Sequence, residues 1–319
     1  MELLLGIDGG GTRTRAVLVT TKGRVLGQGE AGSSNHHNIE LKTVTANLRR
    51  AVEQAWLAAG RPFAPAARAF LGCAGIKTDA DAARVRAAAE SAGLAPAGQI
   101  EVMNDLHNAL AGGLGGAPGI ALIAGTGTNC LGRDAHGATF MCGGWGWLLD
   151  DEGGGCGLAL SAMRAAVRAA DGRAAKTELL PAVLAFFGLR EPNALLQRLY
   201  VQSPTPEEIA GFAPVVIRLA QAGDSTAGDL LRRGAAALAE LVAGAASQLD
   251  FSDGFEVVVL GGCARSGEPY QTMVEAAIRR RCPTAKLQEP LYSPVQGAAI
   301  NVLRAALGER APKLEISSS

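Results

Sequence analysis

The chain has 319 residues, room for about two domains, and 48% of them are apolar against 19% charged, the balance of a globular protein with ample core. Its 30 basic residues offset its 30 acidic ones, which excludes an electrostatic footprint for nucleic acid or an anionic membrane surface. The first residues hold no basic segment followed by a cleavage site, so no secretory leader is expected. The Ala-rich stretch 234–249 contains Glu240 and is too short to span a bilayer. Cys73, Cys130, Cys142, Cys156, Cys263 and Cys282 form no CxxC pair and the histidines are scattered. The expectation is therefore reduced thiols in the cytoplasm and no zinc or iron–sulfur site.

The chain opens on two short apolar runs, Leu3 to Ile7 and Ala16 to Val19, separated by Asp8-Gly-Gly-Gly-Thr12. Such a pattern predicts a β-hairpin with a glycine turn. Successive N–H groups in a turn of this kind converge into an anion-binding concavity. Asp8 places a carboxylate beside it, where a hydrated Mg²⁺ can bridge to phosphate. Taken alone, DGGG also fits a plain hairpin with a solvated aspartate. Thr21-Lys22-Gly23 is a turn and Arg24 to Glu30 a third antiparallel strand, followed by the polar loop 32–38. Leu41 to Ala59 has the apolar stripe of a helix (Val44, Leu48, Ala51, Val52, Ala55). Arg68 to Cys73 is then a strand, Asp79 to Ala92 a helix and Gln99 to Met103 a strand, so a three-strand meander leads into strand–helix units with parallel strands. Open sheets of this kind bind ligands beyond the carboxyl ends of their strands. Asp105 lies there, just before a helix over 106–114, and two uses stay open: N-cap of that helix or substrate-facing carboxylate.

The opening pattern then recurs. Gly119 to Ala124 is a strand, Gly125-Thr-Gly-Thr128 a glycine turn, Asn129 to Arg133 the return strand, and Ala138 to Cys142 a third strand. The repeat predicts a second copy of the first supersecondary unit, and two glycine turns facing one another across a cleft could hold one polyanion from both sides. The stretch 142–154 concentrates glycines, Trp145, Trp147, Asp150, Asp151 and Glu152. Here a tryptophan either stacks on a sugar face or anchors the loop, and Asp151 and Glu152 read equally as helix-start acids before a helix near Gly157. Helices are expected over 158–170, 177–187, 193–201, 206–222 and 226–249. The strand Phe255 to Leu260 runs into Gly261-Gly262, a weak signal for close approach of a nucleotide. A helix over 270–281, a strand over 286–288 and a last helix over 293–307 precede a tail, KLEISSS, expected to fray.

In this order, GIDGGGTRT, NDLHNA, IAGTGTN, CGGWGW with DDEGG, and VVVLGG resemble the N-acetylglucosamine kinases and bacterial glucosamine kinases. These belong to the actin, heat-shock-chaperone and sugar-kinase ATPase superfamily. The resemblance covers nearly the whole chain, and GxxxxGK[ST] is absent. It implies an α/β fold of two actin-like (ribonuclease H-like) lobes around a nucleotide and sugar cleft. The first lobe would be residues 1–115, with 295–319 packing back onto it, and the second 116–294. It implies ATP and Mg²⁺ as cofactors and an amino sugar as the partner, compatible with a homodimer. Carried over residue by residue, Asp105 would be the catalytic base and Asp8 would face the metal. Asn35, Thr128, Asn129, Gly144, Trp145, Gly146 and Asp151 would line the sugar site. Gly10, Gly11, Thr12 and Thr126 would meet the phosphates, and Gly261 and Gly262 the adenosine. The reaction implied is transfer of the γ-phosphoryl group to the 6-hydroxyl of N-acetylglucosamine, with glucosamine as the alternative acceptor. His36-His37-Asn38 after Asn35, and Trp147 with Asp150, depart from the family pattern and bear on which sugar is taken. Asp150 is expected to face solvent, or else to answer an ammonium group. An activator ATPase of the radical-dehydratase type shares the fold but calls for interfacial cluster cysteines.

Overall fold

The computed structural model describes residues 2–315 and divides the chain into two compact units, Met1–Ala117 with Glu289–Ser319, and Pro118–Gln288. In the first, β1 (Leu3–Gly9), β2 (Arg13–Thr20) and β3 (Val25–Gly32) form the antiparallel meander. After α1 (Leu41–Ala58) comes β4 (Arg68–Cys73), and after α2 (Asp79–Ser91) β5 (Ile100–Asn104), and both strands extend the sheet in parallel on the other side of β1. The strand order is β3-β2-β1-β4-β5, and α3 (Leu106–Gly113) follows directly on β5.

Alternation along β1 decides what each face buries. Leu3, Leu5 and Ile7 pack with Leu18, Val44, Leu48 and Leu71 against α1 and α2. Leu4 faces the other way, with Val17, Val19 and Phe70.

The second unit repeats the plan with β6 (Gly119–Ala124), β7 (Thr128–Arg133) and β8 (Thr139–Gly143) as its meander. The helices α4 (Gly155–Ala170), α5 (Leu179–Phe187), α6 (Ala194–Leu196), α7 (Pro206–Ala210), α8 (Ala213–Gln221) and α9 (Ser225–Ala246) come next. They lead to β9 (Phe255–Leu260), α10 (Tyr270–Arg281) and β10 (Ala285–Gln288). Its sheet runs β10-β9-β6-β7-β8, which counted from its own first strand is the same 3-2-1-4-5 order, with β9 and β10 parallel to β6. The fold is the expected α/β duplication of two actin-like units.

Two helix expectations need correction. The single helix over 206–222 is two, α7 and α8, because Pro214 at the start of α8 lacks an N–H and would clash with the preceding turn. Phe212 fills the break and is fully buried. The 193–201 segment continues α6 as one π-type turn, Gln197–Val201.

The last helix, α11 (Pro294–Leu307), belongs to the first unit. It covers the Leu4 face with Val295, Ala299, Val302 and Leu303. Gly6 permits the contact, since a Cβ there would stand 2.6 Å from the Ala298 carbonyl carbon. The tail does not fray where it is described. Glu315 donates its N–H to the Gly23 carbonyl at 2.8 Å, its own carbonyl accepts from Val25 N–H at 3.2 Å, and Leu314 is buried. The remainder of that expected frayed tail, residues 316–319, lies outside the described residues. Among the described residues no helix is long and apolar enough to cross a membrane.

Candidate active site

In the first unit the site is built where β1, β4 and β5 end. Antiparallel pairing carries β1 and β2 as far as Gly9 and Thr14, and the turn is closed by the Gly10 N–H donating to the Arg13 carbonyl at 2.8 Å. Gly11 and Thr12 are exposed at its tip, and nothing lies within 4 Å of where a Gly11 Cβ would stand. A backbone this open can be approached closely by a ligand.

Asp8 is half-buried one residue before the end of β1. Its Oδ1 accepts a hydrogen bond from Asn108 Nδ2 at 3.2 Å. Asn108 is fully buried, and its Nδ2 also faces the carbonyls of Ile7 (3.0 Å) and Gly72 (3.2 Å), which ties α3 to β1 and β4. Its Oδ1 accepts from Asn301 Nδ2 of α11 at 3.3 Å. Burial raises the Asp8 pKa, with Asn108 and Arg15 pulling the other way.

Asp105 occupies the N-cap position of α3, yet its side chain makes no capping hydrogen bond. The cap reading is therefore corrected: the Leu106 N–H donates instead to Asn104 Oδ1 at 3.0 Å. Burial, and next the charge of Asp8, push the Asp105 carboxyl up to about 6, partly offset by its own N–H and that of Leu106. Cys73, fully buried on β4, senses the same field: burial, then Asp105 and Asp8, push its thiol up to about 12. A strand-end acid whose pKa is raised by burial and by a second acid nearby is a functional signature. Asn108 is the member that sequence reasoning passed over. The available signal was a lone amide one helical turn after Asp105 in an otherwise apolar helix.

Asn35 sits in the loop after β3. Its Oδ1 accepts the His37 N–H at 3.1 Å and its N–H donates to Ser33 Oγ at 3.1 Å, so the loop is a set of local turns.

In the second unit the Gly125–Gly127 turn is closed by the Gly125 N–H donating to the Gly127 carbonyl at 3.0 Å. Thr126 is half-buried and its carbonyl accepts from the Cys156 N–H of α4 at 2.9 Å. Thr128 is buried, and its N–H donates to Asp151 Oδ1 at 2.6 Å. Asp151 is itself buried and left-handed, at φ 69°, a conformation that costs an aspartate free energy and persists where surroundings enforce it. The helix-start reading of Asp151 and Glu152 is corrected too, because α4 begins at Gly155 with Gly154 as its cap and no acid in its first turn.

Trp145 is 74% exposed, so it does not anchor its loop. The loop is held instead by Asp151 and by Asp150, whose Oδ2 accepts the Trp145 N–H at 3.4 Å. Asp150 is half-buried rather than facing solvent. Gly144 packs on the Asn129 amide, where a Cβ would stand 2.6 Å from Nδ2, and Gly146 borders open space. Gly261, at φ 95°, lies against the Ala124 carbonyl, which a Cβ would meet at 2.4 Å, while Gly262 is exposed with nothing near it. The Ala124 carbonyl also accepts from the N–H groups of Cys263 and Ala264. Thr126, Thr128, Asn129, Gly144 and Asp151 thus gather around the Gly125–Gly127 turn, and Gly261 adjoins its start.

Residues 5–302 match the BadF/BadG/BcrA/BcrD ATPase family. An N-acetylmuramic acid/N-acetylglucosamine kinase of Clostridium acetobutylicum is 32% identical over 235 residues, covering 74% of this chain and 76% of its own. The N-acetyl-D-glucosamine kinase of Dictyostelium discoideum is 26% identical over 313 residues, covering 95% and 98%. Among solved structures, a candidate N-acetylglucosamine kinase from Chromobacterium violaceum aligns with a TM-score of 0.75 at 29% identity, over 95% of this chain and 99% of its own.

Proposed function

This chain belongs to the BadF/BadG/BcrA/BcrD ATPase family, and within it we propose an ATP-dependent kinase that phosphorylates N-acetylglucosamine at the 6-hydroxyl. One observation carries the chemistry: Asp105 stands at the end of β5 with its capping work done by Asn104, held close enough to Asp8 for the Asp8 charge to raise its pKa. A half-buried carboxylate without a structural duty, titrating near neutrality, suits a general base. In this reading Asp105 accepts the proton of the sugar hydroxyl as the hydroxyl oxygen bonds to the γ-phosphorus and the bond to the β-phosphate oxygen breaks. ADP leaves and the proton remains on Asp105 until solvent takes it.

Phosphoryl transfer asks mainly for alignment and for compensation of negative charge. The Gly10–Gly11 backbone at the turn and the hydroxyls of Thr12 and Thr126 are proposed to receive the phosphates, and Gly261 and Gly262 the adenosine. Asn35, Thr128, Asn129, Gly144, Trp145, Gly146 and Asp151 are proposed for the sugar, with the exposed Trp145 ring offering a stacking face.

Asp8 fits a hard divalent ion, because it is an oxygen donor beside a second carboxylate whose repulsion a cation would relieve. Mg²⁺, when bound, would neutralise phosphate charge, held by Asp8 through its water shell. The reading places the enzyme in the cytoplasm with ATP and an amino sugar as its only required partners.

The decisive experiment is ADP release with N-acetylglucosamine, glucosamine, N-acetylmuramic acid, N-acetylmannosamine and glucose as acceptors. The highest kcat/KM is expected for N-acetylglucosamine. No ADP release with any amino sugar would sink the kinase reading. A tenfold preference for glucosamine, removed by Asp150→Asn, would sink the acceptor assignment alone.

A further inference from the structure

The loop that follows β3 places two adjacent imidazoles against one carboxylate of α2. Asp81 is the third residue of that helix and divides its oxygens. Oδ2 is taken by the Thr78 hydroxyl (2.8 Å), the Thr78 N–H (3.0 Å) and the Lys77 N–H (3.2 Å), the capping box that starts α2. Oδ1 is left to the histidines, with His36 Nε2 at 3.0 Å and His37 Nε2 at 3.6 Å. The two rings lie 4.1 Å apart between centroids, and the three ligand atoms all fall within 4.8 Å of one another.

We propose that His36, His37 and Asp81 form a binding site for one divalent transition-metal ion, zinc foremost, that fastens the loop carrying Asn35 to the start of α2. Around a tetrahedral ion with bonds of about 2.1 Å, donor atoms stand roughly 3.4 Å apart, and the two measured separations from Oδ1 bracket that spacing. Two imidazole nitrogens and one carboxylate oxygen favour zinc, cobalt or nickel over magnesium or calcium, which prefer all-oxygen shells. The remaining position would be filled by water, as in open zinc sites.

Burial supports both entry and retention. The side chain of His36 is 2% exposed and that of Asp81 12%, whereas His37 is 51% exposed, so the ion arrives on the His37 side and meets two ligands already fixed. On loading, His37 Nε2 exchanges its present partner, the Gly75 carbonyl at 3.0 Å, for the ion. The absence of a CxxC pair and the scattered histidines argue against any zinc site in the sequence alone, and Asp81 follows the histidine pair by more than forty positions, so no spacing rule joins the three. The proposal stands independently of whether Asn35 contacts sugar.

The test uses untagged full-length protein, stripped with a chelator and titrated with zinc chloride by calorimetry without nucleotide or sugar. One ion per chain is expected, with cobalt giving the visible absorption of a tetrahedral nitrogen–oxygen shell, and a melting temperature that rises with zinc. His37→Ala should weaken zinc binding by at least about tenfold and abolish the zinc-dependent rise. His37→Gln, which can still donate to Gly75, serves if the alanine variant folds poorly. Asp8→Asn should leave the stoichiometry unchanged, separating this site from the acidic pair at the end of β1. Absence of zinc uptake, equal uptake in a folded His37 variant, or loss of uptake in Asp8→Asn would each overturn the proposal.

Discussion

Replacing Asp105 by Asn separates proton acceptance from every structural role the side chain could have. A carboxyl that titrates at about 6 instead of 3.8 costs up to about 3 kcal/mol of folding free energy once ionised. Because Asp105 is only half-buried, solvent screens part of that, leaving about 1.5 kcal/mol. The sign follows from the raised pKa. Below 3.8 the group is protonated in folded and unfolded chains alike, and the cost is absent. Between 3.8 and about 6 the unfolded chain ionises first, so stability falls as pH rises, and above about 6 the loss is complete. Asp105→Asn should therefore raise the melting temperature at pH 7.5 by roughly 3–6 °C, with the gain shrinking toward zero by pH 4. The same variant should lose about a hundredfold or more in kcat, and wild-type kcat/KM should rise with pH through about 6. Calorimetric melts of the ligand-free protein at several pH values, with a coupled ADP assay on the same preparations, measure both. A variant that melts lower at pH 7.5 while keeping its turnover would show that Asp105 is a cap and not a base.

Four further outcomes follow from contacts in the two units. Asn108→Ala removes the buried amide that bonds the carbonyls of Ile7 and Gly72 and leaves Asn301 without its Oδ1 partner, and should cost about 1–2 kcal/mol in urea unfolding, while raising the Asp8 pKa further through loss of its hydrogen bond. Gly261→Ala forces a Cβ to within 2.4 Å of the Ala124 carbonyl at φ 95° and should destabilise by more than about 1 kcal/mol, whereas Gly262→Ala, with open space around it, should keep the wild-type melt and raise only the KM for ATP. Tyr270→Phe removes the buried hydroxyl that donates to the Gly153 carbonyl at 2.7 Å and should cost about 1–2 kcal/mol without changing the acceptor profile. Asp8→Asn should shift activity to higher Mg²⁺ concentration in a metal titration, with kcat recovered at saturation to a greater extent than in Asp105→Asn.

What the sequence disclosed is what periodicity and turn chemistry encode. The bounds of β4 and α10 were readable to the residue, since each is an apolar run or stripe between clear breakers. The repeated strand–glycine turn–strand pattern pointed to the duplicated meander, and the position of Asp105 beyond β5 followed from the apolar run that ends there. What stayed hidden depends on side chains distant in sequence. Nothing near Asn108 announces that it will meet β1, β4 and α11 at once. Asp105 and Asn104 are both good caps by type, and which of them takes the Leu106 N–H is settled by three-dimensional placement. Asp151 looked like a helix-start acid, but it lies outside the first turn of α4, which starts at Gly155, and its carboxylate goes to the Thr128 N–H. The tail looked free because its partners, Gly23 and Val25, lie almost three hundred residues earlier.

The duplicated units make the division of chemistry between them intelligible. Both keep the 3-2-1-4-5 order and a glycine turn between the first two strands. The turns are not equal: pairing resumes at Thr14 after Gly10 to Arg13 in the first, and at Thr128 after only Gly125 to Gly127 in the second. Where the first copy's motif reads Asp8-Gly-Gly-Gly-Thr12, the second reads Ala124-Gly-Thr-Gly-Thr128, and the Ala124 carbonyl is occupied by Cys263 and Ala264. The second copy recovers a carboxylate from Asp151, but commits it to the N–H of Thr128 within a strained, buried loop. An acid spent on shaping backbone cannot also bind a metal's water shell or accept a proton at low cost. Under the proposed function, proton and metal chemistry would fall to the first unit, where Asp8 and Asp105 are half-buried and the Asp8 charge raises the Asp105 pKa. The second unit, with its carboxylate consumed, would contribute backbone N–H groups, hydroxyls and the exposed Trp145, which suit the neutral recognition of phosphate and sugar proposed for it.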